Sequence, residues 1–368
     1  MIINEKGEQE EQFQKAYAFE DVLLVPQYSE IESRKEVDLT NNLGPVTLTL
    51  PVISSPMDTV TESAMAIALS EAGGLGVLHR YNSISEQAEM ANKVLSQHWA
   101  EIDNMSGGYI ADIEPEDNYN VAAAIGTTGD YLERATALFE QGVNVFCLDV
   151  AHGHHSLVKN ALESLKKTFG NNAHIMAGNV ATKESVNDLA DWGADSIRVG
   201  IGGGSICSTR IQTGHGMPTF QSIVDCARTD RKVKLIADGG IKTSGDIVKA
   251  LAAGAHAVML GSLLAGTDES PGDIYENRRG EKYKAYRGMA SKEAQIDWHG
   301  RFSSLEGIST TIPYKGKVDL ILDELRRGIR SGLSYSGCRT IEEFHRKARF
   351  VQQTPAGQIE SSTHILRR

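Results

Sequence analysis

A chain of 368 residues with a formal charge of −11 has no basic surplus for holding a phosphate backbone, which excludes an ordinary nucleic-acid binder. Its hydrophobic fraction of 40% includes no unbroken apolar run of about 18 residues, so a soluble globular protein away from membranes is expected. The length suits two ordinary domains or one large α/β barrel. The four cysteines, Cys147, Cys207, Cys226 and Cys338, show neither a CxxC pair nor zinc-ligand spacing, and the polar start MIINEKGEQEEQ is no signal peptide. A cytoplasmic protein with reduced thiols is the expectation.

In chain order, residues 1–16 are Gln- and Glu-rich, too poor in apolar groups to pack, and read as a flexible arm ahead of a catalytic unit spanning 17–368. The following stretch, AYAFEDVLLVPQYSEIESRKEVDL, joins a short apolar run to a proline stop and suggests a hairpin or cap. From Pro51 a rhythm sets in: PVISS (51–55), GLGVLH (74–79), VAAAIG (121–126), NVFCLDV (144–150), HIMAGN (174–179), SIRVGI (196–201), KLIADGG (234–240) and AVMLGS (257–262). Each run ends in small or polar residues, and a helix-like segment usually follows. Strands alternating with helices need crossovers and so pair in parallel, and eight of them predict an α/β fold, the (β/α)8 TIM barrel. Thr61 is the expected cap of a helix over 61–74, and Ile247, Val248, Leu251 and Ala252 share a face of one over 244–255. Residues 98–120, polar and acidic, read as a solvated connector.

Function in such a barrel collects at the C-terminal ends of the strands. Those ends carry Ser55, Asp58, Thr127, Asp149, Asn179, Cys207, Asp238 and Ser262. The stretch RVGIGGGSICSTRIQTGHG (198–216) places glycines from Gly200 to Gly204 just ahead of Cys207, which stands between hydroxyls and before Arg210. Glycine lets backbone approach a ligand, and a thiol among cationic or hydrogen-bonding groups can be held as the nucleophilic thiolate. A free cysteine is also often no more than a small buried hydrophobe. DGGIKTSGD (238–246) and GSLLAG (261–266) follow the last two strands, where a phosphate commonly binds in barrels, although glycine-rich turns are common there without one. His152, His154 and His155 lack a carboxylate at ligand spacing and read as an exposed loop.

GIGGGSICSTR resembles the active-site loop of the IMP dehydrogenase/GMP reductase family, and the resemblance runs from about Tyr17 to Ile365 through FEDVLLVP, SSPMDTV, LDVAHG, AGNV, DGGI and YRGMAS. It implies a purine nucleotide, GMP or IMP, as substrate. Cys207 would attack C2. Ser205, Gly240, Gly261 and Ser262 would hold the phosphate, Asp238 the ribose hydroxyls, and Tyr286, Gly288, Met289 and Ala290 the turn that reads the purine edge. Ser55, Met57, Arg198 and Gly239 complete the substrate set. Asp58, Thr127, Asp149 and Asn179 would serve the nicotinamide cofactor, and the carbonyls of Gly202, Gly204 and Cys207 a monovalent cation such as potassium. A homo-oligomer, a tetramer or a pair of them, is implied as well. The regulatory CBS modules that the family's dehydrogenases usually insert are far longer than the 98–120 connector, so this chain lacks them. Gly203 stands where the family usually has proline or serine.

The direction of the reaction turns on a mobile flap, 292–316. Dehydrogenases carry an Arg-Tyr pair there for the hydrolytic water, well ahead of an acidic-Gly step. Here Arg301 is followed by Phe302, five residues before Glu306-Gly307. The short flap and LEGISTTIPYKG look more like the reductases, whose Thr-Glu pair matches Thr209 and Glu306. The implied activity is a GMP reductase using NADPH. A CBS-less IMP dehydrogenase using NAD, with Arg301 activating water, is the alternative, and a catalytically silent purine-nucleotide-binding protein is the alternative of another class.

Overall fold

Eight apolar runs become eight parallel strands: β1 (Val52–Ser54), β2 (Leu75–Leu78), β3 (Val121–Ile125), β4 (Val145–Leu148), β5 (His174–Val180), β6 (Ser196–Val199), β7 (Lys234–Asp238) and β8 (Ala257–Leu260). Each pairs with its neighbours in sequence, and β8 closes onto β1 through Val258 opposite Val52, Met259 opposite Ile53 and Leu260 opposite Ser54. The computed structural model of the chain describes residues 14–106, 120–300 and 306–361, together with the short pairs 2–3 and 9–10. Closed barrel and surrounding helices make the (β/α)8 fold that the eight runs predict.

The helices α1 (Ser63–Glu71), α2 (Ile84–Ser106), α3 (Tyr131–Glu140), α4 (Ser156–Phe169), α5 (Lys183–Asp191), α6 (Thr219–Cys226), α7 (Ser244–Ala252) and α8 (Val318–Tyr335) follow the strands in turn. In α7 the Thr243 side chain accepts from the Asp246 amide at 3.2 Å while Asp246 accepts back from the Thr243 amide at 3.1 Å, a reciprocal cap. Ile247, Val248, Leu251 and Ala252 are all buried on one face of it, as their spacing predicts. Among the described residues no helix is long and apolar enough to cross a membrane.

Three expectations need correction. Thr61 does not cap α1, whose N-cap is Glu62; its hydroxyl bonds Ser54 Oγ at 2.8 Å and the Ser55 carbonyl at 2.7 Å, a tertiary use that outcompetes the local one. The connector begins later than residue 98, because α2 runs on to Ser106; HWAEIDNMS contains no helix breaker, and Gly107-Gly108 is the first. Residues 107–119 of that connector lie outside the described ones, as does most of the 1–16 arm. The apolar run Val22–Leu24 makes no local hairpin and pairs antiparallel with Phe350–Gln352 near the other end of the chain.

The hairpin forms instead from Asn41–Leu43 and Val46–Leu48. It drives Leu43, Val46 and Leu48 into the N-terminal mouth of the barrel against Ile53, Val145 and Met176. Each of those side chains, fully buried, contributes ~1.5–3 kcal/mol. Between β8 and α8 the chain builds an antiparallel sheet from β9 (Tyr275–Glu276), β10 (Lys282–Arg287) and β11 (Ser309–Pro313), and a helix, Lys292–His299, rises between its last two strands.

Candidate active site

With the lower mouth plugged, the interior opens at the C-terminal ends of the strands into a cavity of about 510 Å3, within the ~300–1,000 Å3 usual for small-molecule sites. At its floor a buried cation sits between two carboxylates. Arg198, from β6, donates to Asp238 Oδ2 through Nε at 3.2 Å and Nη2 at 2.9 Å, and its Nη1 reaches Asp149 Oδ1 at 3.3 Å and Cys147 Sγ at 3.2 Å. Burial works against its charge, but Cys147, Asp238 and Asp149 together raise its affinity for the proton above that of a free guanidinium. Burial likewise pushes the Cys147 thiol up to about 11, so it is an inert neighbour. Asn179 adds its amide to Asp238 Oδ2 and to the Gly200 carbonyl, both at 2.9 Å. Among the described residues, the hydrogen bonds to the Asp238 carboxylate thus fall on one oxygen.

Above the floor, half-buried Cys207 lies on the glycine-rich loop. Its thiol donates to Thr209 Oγ1 at 3.2 Å, and Thr209 donates to Glu306 Oε2 at 2.8 Å. The backbone holds this relay in register. The Ser208 amide donates to the Glu306 carbonyl at 2.9 Å, the Ile308 amide to the Ile206 carbonyl at 3.1 Å, and Cys207 bridges Gly307. A distant segment is therefore laced directly beside the thiol.

On the far wall, three hydroxyls gather. Tyr286 OH lies 3.3 Å from Ser205 Oγ, and Ser262 lies close enough to act on the phenol. Burial raises the phenol above its ordinary range, keeping it a donor at neutral pH. Gly261 lies under that phenol: a Cβ there would come within 3.1 Å of it. Gly239 and Gly240, with φ of +97° and +78°, turn the end of β7 toward the same wall.

Of the residues singled out in the sequence, the structure brings Ser55, Met57, Asp149, Asn179, Arg198, Gly202, Gly204, Ser205, Cys207, Thr209, Asp238, Gly239, Gly240, Gly261, Ser262, Tyr286, Gly288, Met289, Ala290 and Glu306 to one cavity. Asp58 and Thr127 are not in its lining. The Asp58 carboxylate is taken by Arg287 of β10, at 2.6 and 2.9 Å, and ties that strand to the end of β1. Arg301 and Phe302 lie outside the described residues. The Gly204 carbonyl accepts the Cys207 amide at 3.1 Å, so a cation at the loop carbonyls would share it with that amide. His154 and His155 are exposed, the first paired with Asp188 at 2.7 Å and the second capping α4. Among the described residues no cluster has the makings of a metal site.

Sequence reasoning missed Arg80, Tyr81 and Gln295, which also line the cavity. Arg80 and Tyr81 directly follow the β2 run in HRYN, so the strand-end rule applied to Asp149 and Asn179 would have found them. Arg80 Nη2 donates to the Asp149 carbonyl at 3.2 Å, and Trp298 of the flap helix meets the Tyr81 ring edge-on at 5.9 Å. Among the described residues Arg80 Nε and Asn179 Oδ1 are buried without a hydrogen-bond partner, Nε facing Asp149 Oδ2 only at 3.7 Å. Polar atoms left so at a cavity wall fit a ligand that carries amide and hydroxyl groups, as a nicotinamide riboside does.

Comparison with known proteins bears on the family and the fold. The IMP dehydrogenase / GMP reductase domain profile matches residues 16–364. Inosine-5'-monophosphate dehydrogenase of Nitrosopumilus maritimus is 34% identical, over 96% of this chain and 99% of that protein. The protein of that name from Aquifex aeolicus is 36% identical over 97% of each. A crystal structure of a cysteine-to-alanine variant of GMP reductase from Trypanosoma brucei, in complex with guanosine 5'-monophosphate, superposes with a TM-score of 0.88 at 31% identity, covering 96% of this chain and 98% of that one. By its sequence match, its barrel and its cysteine loop, the chain belongs to the IMP dehydrogenase / GMP reductase family.

Proposed function

We propose that the protein is a GMP reductase, converting GMP to IMP and ammonia with NADPH. The observation that carries the reading is the unbroken chain of hydrogen bonds from Cys207 through Thr209 to Glu306. Replacing an amino group at C2 needs a nucleophile that sheds a proton and a leaving amine that gains one. The thiol proton passes through the Thr209 hydroxyl to the Glu306 carboxylate while Cys207 Sγ bonds to C2. The same proton, returned by the same path, lets ammonia depart and leaves a thioimidate. NADPH, when bound, supplies the hydride that C2 then takes up as the C–S bond breaks and the thiolate is restored.

The remaining residues bind and orient. Ser205, Tyr286 and Ser262, with the backbone of Gly240 and Gly261, take the phosphate. Asp238 takes the ribose hydroxyls with the oxygen that Arg198 leaves free, and the turn Gly288–Ala290 takes the purine edge. Asn179, Arg80 and Asp149 face the nicotinamide side. The alignment with the Nitrosopumilus maritimus dehydrogenase runs over 472 positions against the 368 residues of this chain, which supports the absence of an insertion the size of the CBS modules.

The second reading is oxidation of IMP to XMP with NAD, favoured by the names of relatives 34% and 36% identical. Two parallel assays of nicotinamide absorbance decide. Loss of reduced cofactor with GMP and NADPH, accompanied by ammonia, is the expected result; formation of reduced cofactor only with IMP and NAD overturns it. Within the reductase, Glu306→Gln is expected to slow deamination by ~10²–10⁴-fold and hydride transfer much less.

A further inference from the structure

The turn Gly261–Ala265 is backed by a lysine that neither the motif at Cys207 nor the flap relay uses. The amides of Leu264 and Ala265 both donate to the Gly261 carbonyl, at 3.0 and 2.9 Å, which leaves the next two carbonyls without a place in the turn. Lys315, from the PYKG segment after β11, donates Nζ to both of them, to Ser262 at 2.5 Å and to Leu263 at 3.1 Å. Its own amide is fixed to the Gly266 carbonyl at 2.8 Å. Among the described residues no carboxylate stands within ion-pair distance of this ammonium.

A second lysine shows what is unusual here. Lys284 of β10 also gives Nζ to carbonyls, those of Thr267 and Ser270, and burial lowers its proton affinity too, but Asp268, Glu269 and Asp273 lie near enough to offset part of that loss. Lys315 has no such company, and burial alone acts on it, bringing its proton affinity down to about 8. A half-buried cation without a counter-ion, bonded to the back of a turn whose front faces the cavity, lacks an anion.

We propose that Lys315 is a positioning residue for the nucleotide's 5'-phosphate: it holds the Ser262–Leu263 turn from behind and supplies, through it, the positive charge that the phosphate answers. The inference rests on the phosphate assignment made above for Gly261 and Ser262. It does not depend on which direction the reaction runs, because GMP and IMP carry the same phosphate.

The test compares each nucleotide with its nucleoside. Dissociation constants for GMP and IMP, and inhibition constants for guanosine and inosine, are measured on the wild type, Lys315→Met and Lys315→Arg. Expected are a tenfold or larger weakening of both nucleotides in Lys315→Met, nucleosides changed less than twofold, and most of the nucleotide affinity restored in Lys315→Arg. KM for the nucleotide should rise far more than kcat falls. Equal weakening of nucleotide and nucleoside, or no weakening of either, overturns the proposal. Should Lys315→Met not fold, Lys315→Arg and Lys315→Gln carry the same comparison. A wild type that binds nucleosides as tightly as nucleotides fails earlier, at the phosphate assignment, and takes this inference with it.

Discussion

The two ends of the barrel bury polar groups by opposite means. At the N-terminal end two histidines are kept neutral. His256, just before β8, accepts the Leu235 amide at 3.1 Å, meets the His345 ring edge-on at 5.3 Å, and is brought down to about 3 by burial, with Lys234 and His345 adding to the effect. His174, at the start of β5, is likewise lowered by burial and bonds Ser196 at 2.8 Å. At the C-terminal end the charges are kept and paired, Arg198 between Asp149 and Asp238. A neutral imidazole bonded to fixed groups has nothing left to offer. A charge cluster with orphaned atoms at its edge does, and that is where a ligand can be completed into the structure.

The contrast breaks most visibly at Cys207. Cys207→Ala should cut turnover at least ~10⁴-fold while leaving the thermal midpoint within ~2 °C, since a half-exposed thiol carries little packing. Calorimetry beside the kinetic assay tells the two apart; a fall of more than about 5 °C would make the thiol a core residue instead. Next in size is the floor of the cavity. Arg198→Met leaves two carboxylates facing each other in a buried site and should cost about 3–5 kcal/mol in urea unfolding at pH 7. A loss below about 1 kcal/mol would mean the cluster is solvated and contributes as a surface pair does.

The neutral end is tested by acid. His256 stays unprotonated in the fold down to about pH 3, whereas in the unfolded chain it protonates below about 6.5, so the unfolded state binds the extra proton and stability falls as pH drops through that window. The slope is up to ~1.4 kcal/mol per pH unit from this one group. His256→Asn keeps an acceptor near the Leu235 amide and has nothing to protonate. Its stability curve, measured by denaturant unfolding from pH 7 to 4, should be flatter than the wild type's; parallel curves would assign the acid sensitivity to other groups.

What the sequence makes legible divides along the same axis. All eight strands could be read because each is a short β-branched or apolar run stopped by glycine or a polar residue, a pattern set by burial on both faces. The strand-end rule then placed Asp149, Asn179 and Asp238 at one mouth. The plug at Asn41–Leu48 was not read, because NNLGPVTLTL is too short and its partner is the barrel interior, not a sequence neighbour. Nor could spacing show that Glu306 reaches Thr209 across 97 positions; only the family's pattern suggested it. Val22–Leu24 went wrong for the same reason, with its partner strand at Phe350–Gln352.

Gly203 yields to a smaller but sharper test. A Cβ at that position would lie 2.4 Å from Thr219 Oγ1, a hydroxyl at the start of α6 that is buried and, among the described residues, has no hydrogen-bond partner. The glycine and the threonine therefore occupy one space, and the loop carrying Cys207 is packed by a side chain from the next helix. Gly203→Ala should cost about 1–3 kcal/mol through that overlap and lower turnover as the loop shifts. Thr219→Ala alone, removing an unpartnered hydroxyl, should cost less than about 1 kcal/mol. The double variant should recover most of the Gly203→Ala loss, a coupling of at least ~0.5 kcal/mol in a double-mutant cycle read by both unfolding and kcat. Strictly additive costs would show that Gly203 is required by the backbone of the loop itself, and that the Thr219 hydroxyl is a bystander.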